Sequence, residues 1–219
     1  MKLLADTPDR FNLAQLISDQ VQGDYIYMYP PRQAYRAMDP ADLAGPIRAS
    51  LAGSAGQPLN LYLHFPFCKQ ICGFCNLYSV ATSPGADYSD YVGLLAREMQ
   101  QWAPLTAGRK IDTIYLGGGT PSILPAGQLD RCLASLEAAF GLTRDSVPEV
   151  AIEVAPDTVD EIKLREMREI GITRVNLGLQ TTSDDGLHQI GRRHGFSLAR
   201  KRIEDALGCG FDNVCVDLI

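Results

Sequence analysis

From Leu59 onward the apolar positions of the chain switch between two periods. Leu59-Asn-Leu-Tyr-Leu-His-Phe65 alternates apolar and polar side chains, the pattern of a strand with one buried face, and Pro66 ends it. Short β-rich runs recur at Ile111 to Leu116, Glu149 to Val154, Thr173 to Leu179 and Asn213 to Ile219. Between them apolar residues return every three or four positions over Tyr88 to Trp102, Pro125 to Phe140, Thr158 to Ile170 and Ser197 to Leu207, which predicts four helices. Asp157 or Thr158 suits the start of the third helix, and Gly171 its end. Successive strands separated by single helices imply parallel neighbours joined by right-handed crossovers. Polar residues gather at the C-terminal ends of the strands, so the expected α/β fold is a full or partial (β/α) barrel rather than a doubly wound sheet.

Both ends of the pattern are unusual. Residues 1–58 precede the alternation and contain Tyr25-Ile-Tyr-Met-Tyr-Pro-Pro-Arg-Gln-Ala-Tyr-Arg36, which its prolines bar from forming a regular helix. This N-terminal arm is either a linker with scattered apolar anchors or a cover packed over a site. The barrel region, 59–219, stops at Ile219 within an apolar strand, and an open parallel edge there suggests a chain truncated after its fifth strand.

Composition narrows the setting. Hydrophobic residues make up 46% and charged residues 21% of the 219, enough for a filled core and too apolar for wholesale disorder. The net charge of -6 offers no electrostatic case for nucleic acid or an anionic membrane. No long apolar run spans a bilayer, and Asp6, Asp9 and Arg10 do not fit a secretory signal, so a cytoplasmic protein is expected.

The six cysteines fall into two groups. Cys132, Cys209 and Cys215 are scattered through apolar patterns as buried thiols would be. Cys68, Cys72 and Cys75 are bunched in the loop after the first strand, where thiolates at these spacings can wrap three corners of a [4Fe–4S] cubane and leave the fourth iron open to a ligand. Gly73 would let the backbone turn closely around the sulfurs. A closed zinc site wants four ligands, and His64 would have to fold back to complete one. Further on, Gly118, Gly119 and Thr120 follow a strand and offer a side-chain-free edge with open N–H and hydroxyl groups, suited to the amino and carboxylate end of an amino acid. Glu153 ends the third strand between apolar Ile152 and Val154, where a carboxylate can pair with an ammonium. Gln180 ends the fourth strand on the face of Asn176 and Gly178.

With Phe74 before its last cysteine, the Cys-x3-Cys-x2-Cys loop resembles the signature of the radical S-adenosylmethionine (SAM) superfamily. Tyr62-Leu-His-Phe-Pro-Phe-Cys68, Gly117-Gly-Gly-Thr-Pro121, Asn176-Leu-Gly-Leu-Gln180, Gly191-Arg-Arg-His194 and Asp217-Leu-Ile219 resemble, in order and spacing, the oxygen-independent coproporphyrinogen III oxidase-like family over about residues 59 to 219. The resemblance implies a partial (β/α)6-type barrel. It also implies a cluster on the three cysteines and a SAM shell of Tyr62, Gly118, Gly119, Thr120, Glu153, Gln180, Arg192 and Asp217. Arg193 and His194 suit a solvated helix end. The implied chemistry is electron transfer from the reduced cluster into the sulfonium, homolysis of the S–C5′ bond, and hydrogen abstraction by a 5′-deoxyadenosyl radical. The implied partners are a small-molecule substrate and an electron donor such as flavodoxin or ferredoxin.

Two departures bear on the reaction. The family's decarboxylases carry a further cysteine two positions after the third ligand, and here that position is Leu77. The family's haem-trafficking chaperones begin almost at the first strand, whereas this chain has the arm. Class C radical methyltransferases and related cyclopropane-forming enzymes share both features and use two SAM molecules. The expectation is therefore C-methylation or related C–C bond formation on an aromatic or heteroaromatic ring, with coproporphyrinogen III oxidation and haem binding as alternatives.

Overall fold

A computed structural model describes residues 39–219 apart from 55 and 76; the Tyr25 to Arg36 stretch lies outside them. The chain divides into two units, 1–47 and 48–219. In the first, residues 40–47 are opening turns of helix α1 (Pro40–Gly53).

The second unit runs β1 (Leu59–Phe65), β2 (Phe67–Cys68), β3 (Val80–Ala81), α2 (Ser89–Trp102), β4 (Ile111–Gly118), α3 (Ala126–Phe140), β5 (Glu149–Val154), α4 (Glu161–Glu169), β6 (Arg174–Gln180), α5 (Asp184–Gln189), α6 (Phe196–Gly208) and β7 (Asn213–Leu218). β1, β4, β5, β6 and β7 form one sheet in that order, every neighbouring pair parallel. Sequential strand order with a crossover between each pair is that of an opened (β/α) barrel; a doubly wound sheet reverses its order partway.

Alternation along the strands sorts the two faces. Leu63, Phe65, Ile114, Leu116, Val150, Ile152 and Val175 point outward into a buried cluster. There they meet the Leu129, Cys132, Leu133 and Leu136 stripe of α3, spaced as one helix face. The intervening positions, among them Tyr62, Tyr115, Glu153, Asn176 and Asp217, lie on the opposite, polar face. Wholly parallel sheets commonly bury both faces in apolar side chains. This one keeps an inner face lined with functional groups.

Two local expectations need correction. Helix α4 is capped by Asp160, whose carboxylate accepts from the Lys163 N–H at 2.8 Å, not by Asp157 or Thr158. Those two sit in a separate 3-10 turn, Pro156–Thr158, that carries the chain off β5. The short helix α5 was absent from the periodicity; Ser183 caps it, accepting from Gly186 N–H. Gly171 does follow α4 with φ at 92°, and a Cβ there would lie 2.6 Å from Arg144 Cδ.

Candidate cofactor site

The cysteine loop leaves β1 at Pro66 and is closed at its base. Val80 N–H donates to the Pro66 carbonyl at 2.6 Å and Thr82 N–H to the Cys68 carbonyl at 2.9 Å. Inside the loop, Cys75 N–H donates to Cys72 O at 3.1 Å, and Gly73 N–H reaches across to Ile190 O at 3.0 Å. Lys69 pairs with the Asp157 carboxylate at 3.5 Å, and the Gln70 amide donates to the Gly191 carbonyl. The loop is thus tied to the turn after β5 and to the segment after α5. Gly73 is not needed for close packing: a Cβ there would meet Ile190 O at an ordinary 3.7 Å.

The glycine run after β4 acts as a strut beneath this loop. Gly118 has φ at 119°, and a Cβ on it would strike the His64 ring at 2.7 Å. A Cβ on Gly119 would lie 2.7 Å from Phe67 O and 2.8 Å from Cys68 Sγ. The expected edge of open N–H groups is absent. Gly118 N–H donates to Glu153 Oε2 at 2.9 Å, Gly119 N–H to Phe65 O at 2.7 Å and Thr120 N–H to Phe67 O at 2.7 Å. The run continues the sheet by pairing with the chain that leads into Cys68, which takes up its donors. The Thr120 hydroxyl faces Cys68 Sγ at 3.6 Å.

Polar side chains on the inner face form a connected ladder. Tyr115 OH donates to Glu153 Oε1 at 3.0 Å and accepts from Asn176 Nδ2 at 2.7 Å, while Arg174 Nε donates to Asn176 Oδ1 at 2.9 Å. Burial raises the Glu153 carboxyl above its ordinary range, opposed by the hydrogen bonds from Tyr115 and Gly118. The Tyr115 phenol is pushed up to about 12, by burial first and by Glu153 next. Tyr62, 58% exposed, stacks on Tyr115 with centroids 5.9 Å apart, and its hydroxyl lies 3.2 Å from His64 Nδ1.

Above the ladder opens a cavity of about 210 Å³ at the C-terminal ends of the strands. Cys68, Cys72 and Cys75 line one wall, with Gly118, Gly119, Thr120, Glu153, Gln180, Arg192 and Asp217 around the rest. The residues expected from sequence therefore converge, except Tyr62, which stays on the inner face outside this lining. Gln180 is 8% exposed and has φ at 73°, the one positive-φ residue other than glycine among those described. Its amide folds over Gly178, where a Cβ would lie 2.9 Å from Gln180 Nε2 and 3.4 Å from an Arg192 guanidinium nitrogen. Arg192 also stands 5.7 Å over the Phe74 ring. The expected site residues did not include Phe74, Asp157, Arg193 or His194, which line the same cavity. His194 is buried, not at a solvated helix end.

The donor set fits a cluster better than a single ion. Three thiols of one loop line the cavity, the number that holds three corners of a [4Fe–4S] cubane and one short of a closed zinc site. Burial raises the Cys68 and Cys72 thiols, and the Arg192 guanidinium near both opposes this. Metal ligation takes thiolates, so a nearby fixed cation favours loading. Arg192 Nε and His194 Nε2 are buried without partners, in two residues that line the cavity.

A parallel barrel-type sheet with its polar groups and a tricysteine loop gathered at one mouth is a setting for cofactor chemistry. A family description, the radical SAM superfamily, matches residues 62–219, and the chain belongs to that superfamily. Its members work with a [4Fe–4S] cluster and SAM. The chain is 32% identical over 162 residues to the haem chaperone HemW of Escherichia coli, covering 74% of this chain and 42% of the relative. It is 31% identical over 163 residues to the oxygen-independent coproporphyrinogen III oxidase of the same organism, covering 74% and 35%. The solved structure of E. coli coproporphyrinogen III oxidase, HemN, superposes with a TM-score of 0.77 at 26% identity, covering 95% of this chain and 45% of that one. The chain thus spans less than half the length of these relatives. No helix among the described residues is long and apolar enough to cross a membrane.

Proposed function

We propose that this chain holds a [4Fe–4S] cluster on Cys68, Cys72 and Cys75 and reductively cleaves SAM beside it. The supporting observation is the meeting of those three thiols with the strand-end groups Glu153, Gln180, Arg192 and Asp217 in one cavity. When bound, the reduced cluster supplies the electron that breaks the S–C5′ bond and leaves a 5′-deoxyadenosyl radical to take hydrogen from a substrate. The protein's part is to bind, orient and exclude water. Thr120 donates toward Cys68 Sγ, Arg192 offers a guanidinium to a carboxylate, and Glu153 offers a carboxylate to an ammonium. Glu153 is already held by Tyr115 and Gly118, so its orientation is set before a ligand arrives. A small-molecule substrate and a separate electron donor, such as flavodoxin or ferredoxin, complete the scheme.

For the later steps Leu77 is the discriminating residue, because it lines the cavity at the position where the resemblance places a decarboxylase cysteine. It supports C-methylation or related C–C bond formation on an aromatic or heteroaromatic ring, with a second SAM as carbon source. The second reading draws on the relatives named above, one called a haem chaperone and the other a coproporphyrinogen III oxidase. They favour a tetrapyrrole, as substrate or as cargo, and lend no support to carbon transfer.

Anaerobic reconstitution followed by product analysis tests these readings. The chain should take up about four iron and four sulfide, Cys72→Ala should lose the brown chromophore, and Cys132→Ala should keep it. Stoichiometric zinc with no iron uptake would overturn the cluster assignment. With methyl-deuterated SAM, S-adenosylhomocysteine together with deuterated 5′-deoxyadenosine marks carbon transfer. Carbon dioxide released from coproporphyrinogen III marks oxidation, and stoichiometric haem binding without turnover marks a chaperone.

A further inference from the structure

The polar ladder on the inner face has a direction as well as a set of contacts. Arg174 is anchored by Glu149, its Nη1 lying 3.3 Å from both carboxylate oxygens, and its Nε donates to Asn176 Oδ1 at 2.9 Å. Guanidinium nitrogens only donate, so the Asn176 atom facing them is the oxygen and the amide nitrogen faces the other way. There Nδ2 meets Tyr115 OH at 2.7 Å. An amide nitrogen also only donates, so the phenol oxygen accepts, and its proton is left for Glu153 Oε1 at 3.0 Å. A permanent cation thus sets, through two hydrogen bonds, which way a neutral hydroxyl points.

The backbone leaves room for this meeting. A Cβ on Gly117 would lie 2.7 Å from Tyr115 Cε1, 2.8 Å from Tyr62 Cε2 and 3.0 Å from Glu153 Oε1, so the three side chains converge over a bare position. The other Glu153 oxygen, Oε2, accepts from Gly118 N–H at 2.9 Å. Both oxygens therefore accept from the protein, and an ionised carboxylate keeps further lone-pair sites for a ligand. Glu153 and Asn176 line the cavity; Tyr115 and Arg174 are not among the described residues that do.

A turned Asn176 amide would undo the arrangement. With its oxygen toward Tyr115, the phenol would have two acceptors, and Glu153 would lose its donor whenever the proton went to the amide.

We propose that Asn176 and Tyr115 are positioning residues: the one-way chain of donors that starts at Arg174 holds the Glu153 carboxylate ready to accept from the amino group of bound SAM. The inference rests on the SAM-site reading above, in which Glu153 meets that amino group, and adds the residues that act through it.

Equilibrium binding of SAM to the reconstituted 219-residue chain tests this, with 5′-deoxyadenosine as a probe that lacks the amino-acid amino group. Tyr115→Phe should weaken SAM about tenfold, the loss of one hydrogen bond to a charged group, and leave 5′-deoxyadenosine unchanged. Asn176→Asp keeps the shape of the side chain but turns an oxygen toward Tyr115, and should weaken SAM by a similar factor. The sign is diagnostic, because SAM carries a net positive charge and an added carboxylate acting only through space would tighten it. In a Glu153→Gln background neither change should weaken SAM further. Iron content and thermal midpoint, followed in parallel, should stay near wild type in Tyr115→Phe; if that variant loses its iron, Asn176→Asp decides. A Tyr115→Phe chain that binds SAM as wild type does, an Asn176→Asp chain that binds it as tightly or more so, or losses that add in full to that of Glu153→Gln overturn this inference alone. So does a loss for 5′-deoxyadenosine as large as for SAM. A cluster-loaded wild-type chain that does not bind SAM, or a Glu153→Gln chain that binds it undiminished, overturns the parent reading, and this one with it.

Discussion

At the scale of single residues, the glycine run after β4 does a different job from the one its composition suggests. Its N–H groups are taken up by Glu153, Phe65 and Phe67, so its value is space, and Gly119 is the position crowded by the chain that leads into Cys68. A methyl group there would overlap both Phe67 O and Cys68 Sγ, and backbone on that side cannot move without moving the first cysteine. Gly119→Ala should therefore fold with a loss of about 1–3 kcal/mol and retain little iron after reconstitution. Gly127→Ala, where nothing lies within 4 Å of the added methyl, should keep its iron and its stability. Iron and sulfide assay beside thermal melting separates the two; full iron content in Gly119→Ala would refute the strut. Sequence could expose the need for glycine in this run, but not its cause, because the atoms that crowd it come from more than fifty residues earlier.

Between elements, the turns after β4 and β5 are locked together by a buried polar knot. Ser122, fully buried, places its hydroxyl 2.6 Å from that of Thr158, and Lys163 on α4 donates through Nζ to the carbonyls of both residues. Burial first, and Lys69 next, bring the Lys163 ammonium down to about 8. A lysine whose folded value is depressed holds its proton less well folded than unfolded. The unfolded chain then binds more protons between about 8 and the ordinary 10.5, and this group's contribution makes stability rise with pH in that window. The neutral amine still donates to both carbonyls, so the knot survives deprotonation. Cys132, with its thiol pushed up to about 12 by burial, acts in the opposite sense above its ordinary value of 9. The lysine effect is thus cleanest from pH 8 to 9. Denaturant titrations should give wild type a more positive stability slope there than Lys163→Met; indistinguishable slopes would refute the assignment. At this scale the alternating strands and the α3 stripe were legible because a single buried face writes itself into one period. The Asp160 cap was missed because a 3-10 turn intervenes between β5 and α4, α5 because six residues carry no period, and His194 because only tertiary packing buries it.

For the whole molecule, the separation of faces decides both function and behaviour in solution. The outward face of the sheet is sealed by helices, while the inward face stays polar around the cavity, so most strands present no apolar surface to solvent. β7 departs from this. It is an edge strand, paired on one side to β6, and Val216, Leu218 and Ile219 are exposed, Leu218 by 65%. A parallel edge with free backbone groups and apolar side chains on its outer face is a template for pairing with another chain. The 219-residue chain should accordingly associate as its concentration rises, through β7 and not through the cavity. Leu218→Lys places a charge on that outer face and should shift the chain toward monomer while altering stability by about 0.5 kcal/mol or less. Ile162→Lys on α4, an exposed apolar residue away from any edge, serves as the control and should leave association unchanged. Sedimentation velocity over a concentration series reads all three. A wild-type chain that stays monomeric throughout, or an Ile162→Lys variant as effective as Leu218→Lys, would show that the β7 edge does not drive association.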